Sequence, residues 1–404
     1  MSSTRRPVRI LCLAALLVPV GLSAQRPVGP LSPVTERAAQ DLSDGLRHHH
    51  LQGRRDGSDP WSAHMLEIDL GRYGIDIALA MDQIVGQETP SSMVRRHGAA
   101  AGVNGGFSVS NDPWNIVHGD PNGFLVTDGV VLSEPVAGRP ALGFCGPPGS
   151  QEVRVVAPRL AVRLSPEFGT GRAIGLNRAR EAEDVVVYTP EWASTTLTEP
   201  GGLEIVVADG VVVSIDSRGS VPIPEEGFVL SAQGSSAAAF ADLRPGDPLA
   251  FAAEVFDADG SPVEVTGCDF TSAGPVIARE GSVVQGHSPE SYREGFVVDR
   301  HPRTAVGLSP DGTTLYLFVI DGRQSSHSAG ATLDELAELL IAEGADMVYN
   351  LDGGGSSAMA LPGLGVLNSP SDGTERRRCD VLLVHPVDAG RVPGASPRSE
   401  PPAR

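Results

Sequence analysis

The sequence predicts an α+β or α/β fold: a mixed-sheet core with few helices, interrupted by a mostly β inserted subdomain. Three observations lead there. Gly (48) and Pro (33) are numerous and aromatics make up 5% of the 404 residues, which favours turns and short strands over long helices. One stretch, 315–351, reads as strand, capped helix and strand. The texture of the chain changes at 151 and returns at 266. These shifts divide the chain into a leader (1–24), an N-terminal segment (25–60), a core in two parts (61–150 and 266–385), the insertion (151–265) and a disordered tail (386–404).

Taken in order, Arg5, Arg6 and Arg9 precede the apolar run Ile10 to Leu17, and Leu22-Ser23-Ala24 supplies small residues. This is the pattern of a secretory signal peptide cut near Ala24, and the run is too short for a membrane span. The expected protein is secreted or periplasmic, with no membrane span in its mature form. Residues 25–59 are mixed and polar, and His48-His49-His50 reads as a solvated loop or helix end.

Residues 63–70 and 74–80 alternate apolar and polar about Gly71 and Gly74, the pattern of a β-hairpin. Thr89-Pro90 opens a helix over 91–97 that Gly98 ends. A strand over 99–103 leads to Asn104-Gly105-Gly106-Phe107. Asp128-Gly129 turns a second hairpin. The insertion offers strands at 153–156, 184–188, 203–208, 211–215 and 249–255, with a hairpin turn at Asp209-Gly210.

From Cys268 the core texture resumes. Leu315 to Ile320 is a strand ending in Asp321-Gly322. Thr332 and Glu335 form a capping box, Leu333, Leu336, Leu339 and Leu340 give the helix an apolar face, and Gly344 ends it. Residues 346–351 form the next strand. A right-handed parallel unit then brings Asp321 and Asp352 to the carboxyl ends of neighbouring strands, where open α/β sheets bind ligands. The helix at 91–97 with its Asn-Gly-Gly turn echoes this unit and is expected on the same edge of a sheet. A final strand covers 380–384.

The net charge is −19 and the chain contains no Lys. Non-specific nucleic-acid binding, Schiff-base chemistry and a P-loop lysine are thereby excluded. Cys145, Cys268 and Cys379 remain after the leader, enough for one disulfide whose pairing the sequence leaves open.

The richest stretch is Asn350-Leu351-Asp352-Gly353-Gly354-Gly355-Ser356-Ser357. Glycines allow positive φ and close approach, and their amides form a nest for an anion with Asp352 at its mouth. The turn chemistry of a strand end explains the same residues.

Together with Val103-Asn104-Gly105-Gly106-Phe107, Pro302-Arg303-Thr304-Ala305-Val306-Gly307 and Asp321-Gly322, this stretch resembles the phosphodiester glycosidase family, which includes an N-acetylglucosamine-1-phosphodiester glycosidase. The resemblance covers about 61–384, the insertion least clearly. Ser108 stands where the family usually has a second aromatic, and Ala273-Gly274-Pro275 where Gly-Gly-Pro is common. The resemblance implies a hydrolase that cleaves the sugar C1–O bond of sugar-1-phosphodiesters or related envelope glycans. No cofactor is expected, and a divalent metal is left open.

On this reading Asp352 is the nucleophile or base and Asp321 its partner. Arg303 holds the phosphate through its planar fork, aided by the Gly353, Gly354 and Gly355 amides and the Ser356 and Ser357 hydroxyls. Thr304, Asn104, Gly105, Gly106 and Asn350 complete the binding set, with Asn104 reaching a sugar hydroxyl. His301 and Glu375 are lesser candidates, and His287 is read as loop. Two alternatives stand beside this. One is a metal-dependent phosphodiesterase that breaks P–O, with Asp321 and Asp352 holding a divalent ion. The other is a non-catalytic cell-envelope carbohydrate-binding protein, disfavoured by the scarcity of aromatics. A serine hydrolase lacks the final Gly of a nucleophile elbow after Ser356.

Overall fold

Strand Thr314–Ile320 is apolar on both faces. Leu315, Leu317 and Val319 enter one core, and Phe318 and Ile320 enter another. A strand buried on both sides belongs inside a sheet covered on both faces. In the computed structural model, which describes residues 34–55, 59–109, 117–286, 292 and 294–387, it is the fourth of eight strands. The sheet runs Glu36–Ser43, Leu46–Arg55, Asp59–Asp69, Thr314–Ile320, Arg303–Leu308, Met347–Asn350, Val276–Arg279 and Ser282–Val283. The leader with its cut near Ala24, His287 and residues beyond 387 lie outside the described residues.

Helix Leu333–Ala342 covers one face of this sheet. Its four predicted leucines pack against Ile277, Phe318, Ile320 and Val348. The capping box is formed as expected: Thr332 Oγ1 accepts from Glu335 N at 3.2 Å, and Glu335 Oε2 accepts from Thr332 N at 3.0 Å. The other face packs against a five-stranded sheet of Gly365–Val366, Met359–Leu361, Ala101–Asn104, Asp380–Pro386 and Tyr73–Leu79. Helix Pro90–Arg96 closes the far side through Met93 and Val94. The core is thus helix, sheet, sheet, helix. Strands form 44% of the structure and helices 10%, so the fold is mostly β, with several sheets and few helices.

Several expectations change here. Asp59–Asp69 and Tyr73–Leu79 are strands but not a hairpin. The first pairs with Leu46–Arg55 and Thr314–Ile320, the second with Asp380–Pro386. The turn between them carries the chain from one sheet to the other, because each strand finds a longer partner elsewhere. His48, His49 and His50 lie in a strand paired on both sides, not in a loop or helix end. Thr314–Ile320 and Met347–Asn350 are parallel but not adjacent. Arg303–Leu308 lies antiparallel between them, since a short turn through Gly312 lets it pair first with the strand that follows it. The echo at Asn104 falls on the second sheet, not the same one. Pro386 ends the last strand instead of opening a tail.

A third sheet holds Val130–Ser133, Leu125–Thr127, Cys268–Ser272, Ala141–Cys145 and Glu152–Val156. Its hairpin at Asp128-Gly129 has both turn residues at positive φ, 50° and 78°, the geometry of a type I′ turn. Glu152–Val156 pairs with Ala141–Cys145, so this strand extends the preceding sheet. Between 157 and 265, Arg159–Ser165 pairs with Ala250–Phe256, and five further strands form a sheet of their own. Cys145 and Cys268 are directly paired residues of the third sheet and form the disulfide, leaving Cys379 buried and free.

Candidate functional site

Two loops meet where the two core sheets face each other. Asn104, fully buried at the end of its strand, donates Nδ2 to Asp352 O at 2.8 Å. Its Oδ1 accepts from Thr304 Oγ1 at 2.8 Å and Ala358 N at 3.1 Å. Asp352 N donates to Gly105 O at 3.2 Å. The glycines of this loop are required by close approach. A Cβ on Gly105 would stand 2.3 Å from Asp380 Oδ2, and one on Gly106 2.5 Å from Thr271 Oγ1. Asp380 accepts from Gly106 N and, at 2.7 Å, from Thr271 Oγ1.

This clasp fixes the backbone of Asp352 and leaves its side chain 17% exposed. Oδ1 accepts from Gly353 N at 2.8 Å, and Oδ2 pairs with Arg378 Nη2 at 2.7 Å. Arg378 also donates to Ser108 Oγ at 2.8 Å. Burial opposes the Arg378 charge, but Asp352, Cys379 and Asp380 outweigh it and raise its pKa.

Asp352 and Phe107 border two cavities of about 470 and 460 Å³, within the size range of small-molecule sites. The first holds Gln87, Ser108, Asp372, Arg376 and Arg378. Its arginines are neutralised: Arg378 by Asp352, and Arg376 by Asp372 at 2.5 Å. The second holds Phe296, Asp299, His301, Arg303 and Arg323. Arg303 is 1% exposed and donates to three carbonyls, of Ala331, Phe296 and Asp299, at 2.7–3.0 Å. Arg323 lies against His301 Nδ1 at 3.3 Å. Among the described residues neither arginine forms an ion pair with a carboxylate. Burial first, then the neighbouring Arg323 charge, pull the Arg303 pKa down to about 9. Burial, then Arg303 and Arg323, lower that of His301.

Residues 201–385 match the family model described as phosphodiester glycosidase. Over that span the chain resembles a phosphodiester glycosidase domain. Arg303, Arg323, Asp352, Arg376 and Arg378 fall within the matched span. A Burkholderia pseudomallei K96243 protein inferred to be exported has a similar structure, with a TM-score of 0.69 and 29% identity over 81% of this chain and 74% of its own. The prophage-derived uncharacterized protein YomE of Bacillus subtilis is 42% identical over 85 residues, 21% of this chain and 13% of its own length. An uncharacterized Rickettsia conorii protein is 25% identical over 163 residues, 39% of this chain and 55% of its own. The chain therefore spans about half or less of these two relatives.

The remaining candidates separate into those that face the cavities and those that build them. Asp352, Arg303, His301, Gly353 and Gly354 line the second cavity. Asp321 lines neither. It is 1% exposed, its Oδ2 meets His327 Nε2 at 2.8 Å, and its Oδ1 accepts from Asn368 Nδ2 at 3.1 Å and Ser369 N at 2.8 Å. Burial raises its pKa. The reason is the intervening strand, which puts Arg303 between the two aspartates. Both carboxylates are engaged by protein donors, and among the described residues no group of three or more metal-ligating side chains converges.

Two amides of the expected anion nest are taken by the protein itself: Gly353 N serves Asp352, and Gly354 N donates to Pro302 O at 2.8 Å. Ser356 and Ser357 are each 1% exposed and line neither cavity. Thr304 and Asn350 are buried clamps, Asn350 Nδ2 donating to Gly274 O and Leu351 O at 2.9 and 2.8 Å. Glu375 accepts from Ser91 N and Oγ, both at 2.6 Å, at the start of helix Pro90–Arg96.

Sequence reasoning assigned no role to Arg323, Asp372, Arg376 or Arg378. The signal for the first was its place directly after Asp321-Gly322. Asp372, Arg376 and Arg378 carried no signal that sets them apart from surface residues.

Proposed function

We propose that this protein is an exported glycoside hydrolase that cleaves the C1–O bond of sugar-1-phosphodiesters or related envelope glycans. The observation that carries the reading is Asp352, partly exposed between a cavity with two arginines that form no ion pair among the described residues and a polar cavity with paired ones. The phosphate sits by Arg303 and Arg323, where charge-assisted hydrogen bonds are strongest. The sugar sits among Gln87, Ser108, Asp372 and Arg376, with C1 beside Asp352. The leader over 1–24 and the exported relative support the location.

The chemistry follows from the leaving group. As C1–O breaks, the phosphate takes the bonding electrons and its charge grows toward that of a monoester dianion. Arg303 is fixed beforehand to receive that charge and Arg323 stands beside it, the preorganised electrostatics that lower such barriers most. A phosphate leaves without strong protonation, so one carboxylate at C1 is the essential group. Asp352 acts there as nucleophile or base, aimed by Gly353 N and Arg378. Water supplies the new C1 hydroxyl. Asp372, in the same hollow, is the second carboxylate nearest this chemistry. Asp321 acts from behind as a positioning residue, holding 368–369 at the root of the segment that carries Asp372, Arg376 and Arg378.

Hydrolysis of a sugar-1-phosphodiester in ¹⁸O-water tests the assignment. Label is expected in the free sugar, and label in the phosphomonoester would instead establish P–O cleavage. Asp352→Asn is expected to fold and to lose at least about a hundredfold in kcat, the scale of one general base.

A further inference from the structure

Resting on the phosphodiester reading, we infer that the Arg303–Arg323 cavity prefers the phosphoryl dianion, so that the enzyme is restrained by its own phosphomonoester product. The charges facing that cavity are few. Arg303, Arg323, His301, Asp299 and Asp352 line it, and Asp299 and Glu335 offset part of the Arg303 charge. Asp352 is compensated by Arg378 from the neighbouring cavity. The two guanidiniums are neighbours whose charges oppose each other, and no described carboxylate pairs with either.

Arg303 has no freedom to move away. Its Nε and Nη2 are tied to the Ala331, Phe296 and Asp299 carbonyls, and its guanidinium lies over the Phe296 ring at 5.0 Å. Arg323 is held at φ 59°, and Gly354 is bare beneath it: a Cβ there would come 3.1 Å from Arg323 Nη2. Two like charges brought together, Arg303 fixed and Arg323 exposed beside it, make an anion site, and each added negative charge relieves more of the repulsion.

The substrate diester brings one negative charge to this pair. Its product, a phosphomonoester, carries nearly two at pH 7, with a second pKa of about 6. The product therefore binds more tightly than the group it came from, and release slows turnover as product accumulates. Acidification below pH 6 removes the extra charge and with it the preference. Burial and the two arginines lower the His301 pKa, which opposes its protonation over the same range.

Calorimetric titration of the whole protein with glycerol phosphate, inorganic phosphate and dimethyl phosphate tests this without turnover. At pH 7.5 the two dianions are expected to bind about tenfold or more tighter than the diester monoanion, and the ratio should approach one at pH 5. Arg323→Asn, which tolerates positive φ, should abolish the preference, and Arg323→Lys should restore part of it. Asp352→Asn should retain it. Equal affinity for monoester and diester at pH 7.5, or a preference untouched in Arg323→Asn, would overturn the inference while leaving C1–O cleavage standing. A dianion preference in a protein that puts ¹⁸O into phosphate would overturn the glycosidase assignment alone.

Discussion

A methyl group on Gly105 would stand 2.3 Å from a carboxylate oxygen of Asp380, closer than packed atoms allow. The residue-level consequence is measurable. Gly105→Ala should destabilise the protein by about 1–3 kcal/mol, the usual cost of overpacking a buried site, as read by chemical denaturation. It should also reduce kcat, because Gly105 O holds the Asp352 amide. The sequence marked the position, since a glycine pair beside Asn is a backbone constraint, but it read Asn104, Gly105 and Gly106 as substrate-binding, whereas they clasp the Asp352 backbone. Arg378 left no such mark. An arginine before a strand reads as surface, and only its burial at 6% exposure beside Asp352 reveals its role. The same limit hid the difference between Arg303, which faces a cavity, and Thr304, whose hydroxyl is bonded to Asn104.

At the scale of elements, the capped helix Leu333–Ala342 was readable because its period, cap and stop all agree. Strand partners were not, because alternation specifies a buried face and says nothing about which strand lies alongside. That is why Asp59–Asp69 and Tyr73–Leu79 looked like a hairpin. The strand Leu46–Arg55 was hidden by its polarity. Its histidines instead stack against His64: the His50 ring at 4.5 Å and the His48 ring at 5.2 Å, with His48 Nε2 3.0 Å from His64 Nδ1. Burial, then His50, His48 and His327, depress the His64 pKa to about 3. The folded value lies below the unfolded value of about 6.5, so the unfolded chain takes up the proton first. Stability from this group is full above pH 6.5 and falls toward pH 3, by up to about 1.4 kcal/mol per unit. His64→Leu should flatten that acid limb, which denaturation midpoints between pH 7 and 4 will show.

Across the whole molecule, the segment between Cys145 and Cys268 spans 123 residues and returns to a directly paired position. Closing so long a loop constrains the unfolded chain strongly, by about 4–5 kcal/mol on the chain-entropy model. Cys145→Ser with Cys268→Ser should lower the melting temperature markedly and match the reduced wild type. A wild type whose melting temperature ignores reductant would show that the two strands hold each other unaided. The sequence left the choice among three thiols open because pairing depends on which strands become neighbours. The same long-range architecture has a consequence in time. Asp380 anchors Gly106 across 274 residues, and Asp380–Pro386 pairs with both Ala101–Asn104 and Tyr73–Leu79. The hollow beside Asp352 is therefore a late product of folding: a chain lacking Asp380–Pro386 loses both the anchor of Gly106 and the shared partner of the two neighbouring strands, whatever the rest of it has already assembled.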